Sequence, residues 1–175
     1  AFALHPAQVV ENFRLLDESG NSHELHYYKD ATAIVVMVQG NGCQIVRNAM
    51  PTYRKLRDQY AEEGVEFFLL NSNIQDKRAA VKQESVDYGY DIPILMDSTQ
   101  LIGESLGLTR TGEVFVIDPD GWNIVYHGAI DDRLTYEKQK GKAKHHHLRD
   151  ALNAIVSNED VARKSTNAVG CLINF

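Results

Sequence analysis

Two cysteines, Cys43 and Cys171, are the residues of this 175-residue chain best suited to covalent chemistry. That number suits one redox pair and is too small for a disulfide framework. Cys43 follows Gln39-Gly40-Asn41-Gly42, and beyond it the apolar residues Ile45, Val46, Ala49, Met50, Tyr53 and Leu56 are helically spaced. A thiol on a helix's first turn sits at the positive end of the macrodipole, beside unpaired backbone N–H groups. Both favour the thiolate, which is the reactive form. An open, readily ionised Cys43 would attack a peroxide or a disulfide, giving a sulfenic acid or a mixed disulfide. The residue three positions on is Val46, so the dithiol C-x-x-C spacing is absent. Two plainer readings compete: an inert, packed cysteine, and a glycine turn that cradles phosphate. Neither phosphate-binding glycine motif is present.

The elements that would hold this cysteine follow from apolar pattern. Ile34 to Val38 is a β-branched run typical of a strand buried on both faces. The glycines then turn the chain into a helix that ends near Gly64, with Pro51 inside it as an expected kink. Phe13–Asp17 and His23–Tyr28 read as a hairpin about Gly20-Asn21. Val65–Leu70 is a second buried strand, Asp76–Tyr88 an amphipathic helix closed by Gly89, and Ile92–Met96 a short extended segment. A short helix spans Thr99–Leu106, and a hairpin joins Val114–Ile117 to Trp122–Tyr126 about Asp118-Pro119-Asp120-Gly121. The last helix covers His145–Val156, after which the chain reads as a linker-like tail with a strand-like end at 168–175. Strands alternating with helices give an α/β sandwich with a mixed sheet. One domain is expected over 1–175, with 1–11 as lead-in and 157–175 as an extended tail.

Charge and hydropathy exclude some partners. The balance of 18 basic and 24 acidic residues, net −6, argues against nucleic acid. No apolar run approaches the ~20 residues of a membrane span. Two cysteines positioned to pair suit an oxidising space, and Ala1-Phe2-Ala3 has the small-residue character found beside a removed leader; an extracytoplasmic, periplasmic setting is expected, with the cytoplasm as the alternative. Four lysines in 137–144 form a basic patch that a protein partner could use. His145-His146-His147 cannot converge on one ion from a regular helix, so no metal and no cofactor is expected.

The chain resembles the thioredoxin-like superfamily, in particular its peroxiredoxin-like redoxin branch of alkyl hydroperoxide reductase and thiol-specific antioxidant type. The residues that carry this include Phe13–Asp17, the strand-to-Cys43 elbow with Pro51, and Gly64-Val65 through Leu70–Asn73. Phe115–Gly121, Tyr126–Arg133 and the ending Val169-Gly170-Cys171-Leu172-Ile173 add to it; the last resembles a subgroup with a C-terminal Gly-Cys motif. The resemblance implies a three-layer sandwich, a central mixed sheet flanked by helices, with an N-terminal hairpin. It also implies antioxidant oxidoreductase activity, with Cys43 as the attacking sulfur, a peroxide or disulfide substrate and a separate thiol reductant. Gly42 and the loop Thr111-Gly112, which faces the cysteine in the superfamily, are where it places substrate.

Three positions depart from that pattern. Val46 replaces the second cysteine of the disulfide-handling relatives, Gly40 stands where typical peroxiredoxins carry threonine, and Gly112 stands at the superfamily's cis-proline. A trans peptide and a more open wall beside Cys43 are expected there. Cys171, on a mobile tail, would resolve the oxidised Cys43 by forming a disulfide; the alternative is a strand-edge cysteine packed on the core or on another chain. Arg110, in the loop opposite the elbow, and Arg47, one turn along the helix, are alternative cations for the thiolate. Each is also readable as a solvated arginine. The competing functions are a non-catalytic redoxin subunit, docking through the lysine loop or the tail, and a metal-delivery protein.

Overall fold

The computed structural model describes residues 8–134 and 141–175. Its centre is β3 (Ala33–Gln39), every residue of which is buried. Around it lie β1 (Arg14–Leu16), β2 (Ser22–Glu24), β4 (Val65–Asn71), β5 (Ile94–Met96), β6 (Val114–Asp118) and β7 (Asn123–Gly128). The helices are α1 (Gln44–Ala61), α2 (Arg78–Tyr88), α3 (Leu101–Leu106) and α4 (His147–Val156).

The main sheet has the order β5-β4-β3-β6-β7. β3 pairs in parallel with β4 and antiparallel with β6, so the sheet is mixed, as the β-branched runs and the hairpin signal predict. Because side chains alternate along a strand, β3 feeds two cores. Ala33, Val35 and Met37 face α1 and α4 residues such as Val46, Tyr53, Leu148 and Leu152. Ile34, Val36 and Val38 face Leu25, Leu106, Phe115 and Ile173 on the other side. This is the α/β thioredoxin-like arrangement, with the antiparallel β1–β2 hairpin at its N-terminal end.

Local chemistry explains the boundaries. Gly64 and Gly89 follow α1 and α2 with positive φ, of 79° and 67°, where a Cβ would be strained. α1 runs on through Pro51. Two expectations need correction. The second hairpin arm ends at Glu24, and Leu25–Tyr28 is a 3-10 turn that buries Leu25 against the sheet. The tail is not a free linker. Lys164 O accepts from His127 N–H (3.0 Å), Thr109 O accepts from Ile173 N–H (2.9 Å), and Val161 and Ile173 enter the two cores. A linker-like composition misses this because the tail is held by backbone bonds to loops, which need no apolar period.

Candidate active site

The strand β3 delivers the chain to the elbow, and a buried polar lattice fixes it there. Gln39 is fully buried and accepts from Asn71 Nδ2 (2.8 Å). Asp76 Oδ2 accepts from Asn41 N–H (2.9 Å) and from Asn71 Nδ2 (3.0 Å). Glu84 Oε1, from α2, accepts from Gly42 N–H (2.8 Å) and from Arg47 Nη2 (2.6 Å). Gly42 takes a positive φ of 76° with open space where a Cβ would be, so its role is the turn itself. Gly40 is different: a Cβ there would lie 2.7 Å from Asn73 Nδ2 and 2.8 Å from Thr111 Cγ2. The elbow is therefore packed tightly against the loop at 111, with no room for the threonine of typical peroxiredoxins.

Cys43 is the N-cap residue of α1, as its place after the glycine turn predicts. Its Sγ lies 3.1 Å from Thr111 Oγ1 and 3.6 Å from Cys171 Sγ. Both cysteines are free thiols. Thr111 is the hub. Its N–H donates to Cys171 O (2.9 Å), and its Oγ1 accepts from Cys171 N–H (2.9 Å). With one lone pair thus used, the hydroxyl proton is available to the Cys43 sulfur. Burial pushes the Cys43 thiol up, but the Thr111 hydroxyl, the N–H of Val46, Cys171 and the N–H of Ile45 together bring it below the usual range. Cys171 moves the other way: burial, then its hydrogen bond to Cys43 and the neighbouring sulfur's charge, raise it. Of the pair, Cys43 is the sulfur that ionises first.

The structure corrects the expected open setting of that sulfur. Cys43 is only 5% exposed, while Cys171 above it is exposed. The open wall expected at Gly112 is also filled. Gly112 keeps a positive φ of 83° and a trans peptide, and a Cβ on it would meet Val169 O at 3.0 Å. Gly170 lies so close that a Cβ would fall 1.8 Å from Thr111 O. The tail occupies the space that a missing proline was expected to leave.

Arg110 sits at the same seam, where its backbone bridges to Leu172 and its Nε lies 3.5 Å from Thr109 Oγ1. Arg47 is engaged by Glu84 and stacks over the Tyr88 ring at 4.2 Å. It serves the α1–α2 contact. Below the loop, Glu113 accepts from Thr109 Oγ1 (2.5 Å) and lies 3.0 Å from His127 Nε2. Burial raises its carboxyl, and the His127 and Thr109 contacts bring it below the usual range. Glu84, Asp76 and Glu113 are site-supporting residues that the sequence reading does not single out. Only Glu84 carries a signal, a carboxylate within an amphipathic helix; Asp76 and Glu113 lie in polar loops where a carboxylate is ordinary.

Of the lysine patch, residues 137–140 lie outside the described residues. At its end, Lys144 N–H and the following His145 N–H donate to Asp132 Oδ1 (2.8 and 3.2 Å). His145 and His147 stack with ring centroids 6.0 Å apart, and no metal-holding group of three occurs among the described residues.

Comparison with known proteins agrees with this architecture. An uncharacterized conserved protein of Geobacillus kaustophilus superposes with a TM-score of 0.85 at 27% identity, covering 99% of this chain and 94% of its own. A hypothetical protein from Sinorhizobium meliloti 1021 gives 0.82 at 28% identity, with 98% and 95% covered. Among curated proteins, the thiol-disulfide oxidoreductase ResA of Bacillus thuringiensis (strain Al Hakam) is 31% identical over 110 residues. That match spans 63% of this chain and 62% of the relative's length. The Redoxin family profile matches residues 6–143, a stretch that includes β3, the elbow and the Thr111 loop, and this chain belongs to the Redoxin family.

Proposed function

We propose that the protein is a thiol–disulfide oxidoreductase whose working unit is the Cys43–Cys171 pair, cycling between dithiol and intramolecular disulfide. The observation that carries this is the 3.6 Å separation of two sulfurs that lie 128 residues apart in sequence. A disulfide needs the sulfurs about 1.5 Å closer, a movement within reach of a tail end. The lowered Cys43 thiol, with the Thr111 hydroxyl on it, favours the thiolate form that exchange uses. Cys171 takes the place of the missing C-x-x-C partner, and the Gly-Cys ending is thereby part of the site.

Disulfide exchange is favoured over peroxide reduction. Gly40 carries no hydroxyl for a peroxide, and Cys171 and Thr111 occupy the near side of the Cys43 sulfur. The kinship with ResA supports a disulfide substrate and a thiol reductant. Residues 1–175 act in this reading as one redoxin domain. A pair held for oxidation suits an extracytoplasmic compartment. No helix among the described residues is long and apolar enough to cross a membrane. Arg110, at the tail seam, is the cation for an anionic substrate group, and the exposed Gly42 borders the approach; Thr111 and Gly112, expected to meet substrate, are buried beneath the tail and back the sulfur pair instead.

The test is mass mapping without reductant, before and after a small disulfide oxidant. The expected product is one chain lighter by two hydrogens, with Cys43 and Cys171 peptides joined. Oxidation that leaves both thiols free, or that links only separate chains, overturns the reading. The burial of Cys43 favours a second reading, a non-catalytic redoxin module that docks through its basic loop or tail. For that reading Cys43→Ser leaves partner binding unchanged.

A further inference from the structure

We infer that Cys171, and not Cys43, is the sulfur through which this pair exchanges with the outside, Cys43 acting only as the internal partner. The inference rests on the pair being redox-active. It reverses the roles that the superfamily resemblance implies, and the reversal comes from access. Cys43 is 5% exposed beneath the tail, held there by Thr111 and capped by Cys171, whereas Cys171 is on the surface. An attacking thiolate must approach one sulfur of a disulfide from outside, and of the two residues only Cys171 is exposed.

The chemistry divides accordingly. A thiolate of an external dithiol attacks Cys171 Sγ, forming a mixed disulfide; the Cys43–Cys171 bond breaks and its electron pair leaves on Cys43 Sγ. A leaving thiol of lowered pKa departs faster, and Cys43 is the lowered one. The partner's second thiol gives its proton to solvent and attacks its own sulfur in the mixed disulfide. Cys171 leaves as a thiolate and takes up a proton, as does Cys43 where the pH requires. Two electrons pass from the dithiol to this chain's disulfide, and the partner ends as a disulfide. Run backwards, Cys171 attacks a substrate disulfide and Cys43 then resolves the mixed disulfide from inside. The tail need not lift at any step.

The experiment uses the full-length reduced protein and the aromatic disulfide 5,5′-dithiobis(2-nitrobenzoate), followed by its released thiolate and by peptide mass mapping at pH 8. Cys43→Ser should be labelled at Cys171 at least tenfold faster than Cys171→Ser is labelled at Cys43. In denaturant the two variants should react at similar rates, which assigns the difference to the fold. The unsubstituted chain should release two thiolates and finish with the internal disulfide. Labelling of Cys43 in Cys171→Ser as fast as, or faster than, Cys171 in Cys43→Ser overturns the inference and leaves the redox pair standing. Failure of the unsubstituted chain to form the internal disulfide overturns both.

Discussion

Thr111 is the side chain on which the site's chemistry turns, because one hydroxyl serves both sulfurs' surroundings. Thr111→Val keeps the shape and removes the hydrogen bond to Cys43 and the acceptor for Cys171 N–H. Ultraviolet absorbance of the thiolate should then rise at higher pH than in the parent. Losing the acceptor for Cys171 N–H, on a residue that water reaches, should cost about 0.5–1.5 kcal/mol in denaturant unfolding. The pH dependence has a definite sign. Cys43 ionises in the folded chain below its unfolded value, so its contribution to stability is full above the unfolded pKa and is lost as pH falls through the folded one. Thr111→Val narrows that window, while the raised Cys171 thiol acts oppositely and disfavours the fold at high pH. At Gly40, Gly40→Thr should not restore a peroxide site. Its Cβ would press on Asn73 and Thr111, at a cost of about 1–3 kcal/mol for overpacking, read as a lower denaturation midpoint with no gain in peroxide consumption. At this scale Cys43 was legible because strand, glycine turn and helix are contiguous in sequence. Thr111 could be placed only by resemblance, as a loop facing the cysteine. Its hydrogen bonds to residues 60 and 68 positions away have no sequence pattern.

The element that most changes the site is the tail, and it is also the one its composition describes least well. The main strands declare themselves by buried β-branched runs, and the helices by apolar spacing and terminal glycines, so β3, α1, β4, α2 and the β6–β7 hairpin match expectation within a few residues. Residues 157–167 have neither signal, and the strand-like end at 168–175 forms only an isolated bridge, Leu172 to Arg110. They are ordered by exchanged backbone bonds at 109–111 and 127, by the Gln100 side chain on Asn174 O, and by the burial of Ile173. Gly170 permits the closest approach, against Thr111 O. Gly170→Ala should therefore lift the segment carrying Cys171 off the loop. Two readouts follow: Cys43 reacts faster with an alkylating agent, and the Cys43–Cys171 disulfide forms more slowly under a fixed oxidant. If Gly170→Ala left both rates at parental values, the tail would not be what covers Cys43.

For the whole molecule, the consequential feature is how much chain the two sulfurs enclose. They are 128 residues apart, so a bond between them closes most of the polypeptide into one loop. In the chain-entropy account, this removes freedom from the unfolded ensemble worth about 5 kcal/mol at room temperature. The folded state is already arranged for the bond, since the tail is seated and the sulfurs are in contact in the dithiol form. Little native structure has to change on oxidation. The oxidised chain should therefore unfold at a higher denaturant midpoint than the reduced chain, and at a melting temperature higher by about 10–20 °C for a chain of this size. Cys43→Ser and Cys171→Ser should each abolish the difference between oxidising and reducing buffers. Linkage then fixes the redox behaviour: whatever stability the bond adds to the fold, the fold returns as resistance of that bond to reduction. A pair so stabilised accepts electrons only from a strongly reducing dithiol. Equal midpoints for oxidised and reduced protein, with the disulfide verified by mass, would show that the enclosed chain is already constrained when unfolded, and the expected resistance to reduction would fall with it.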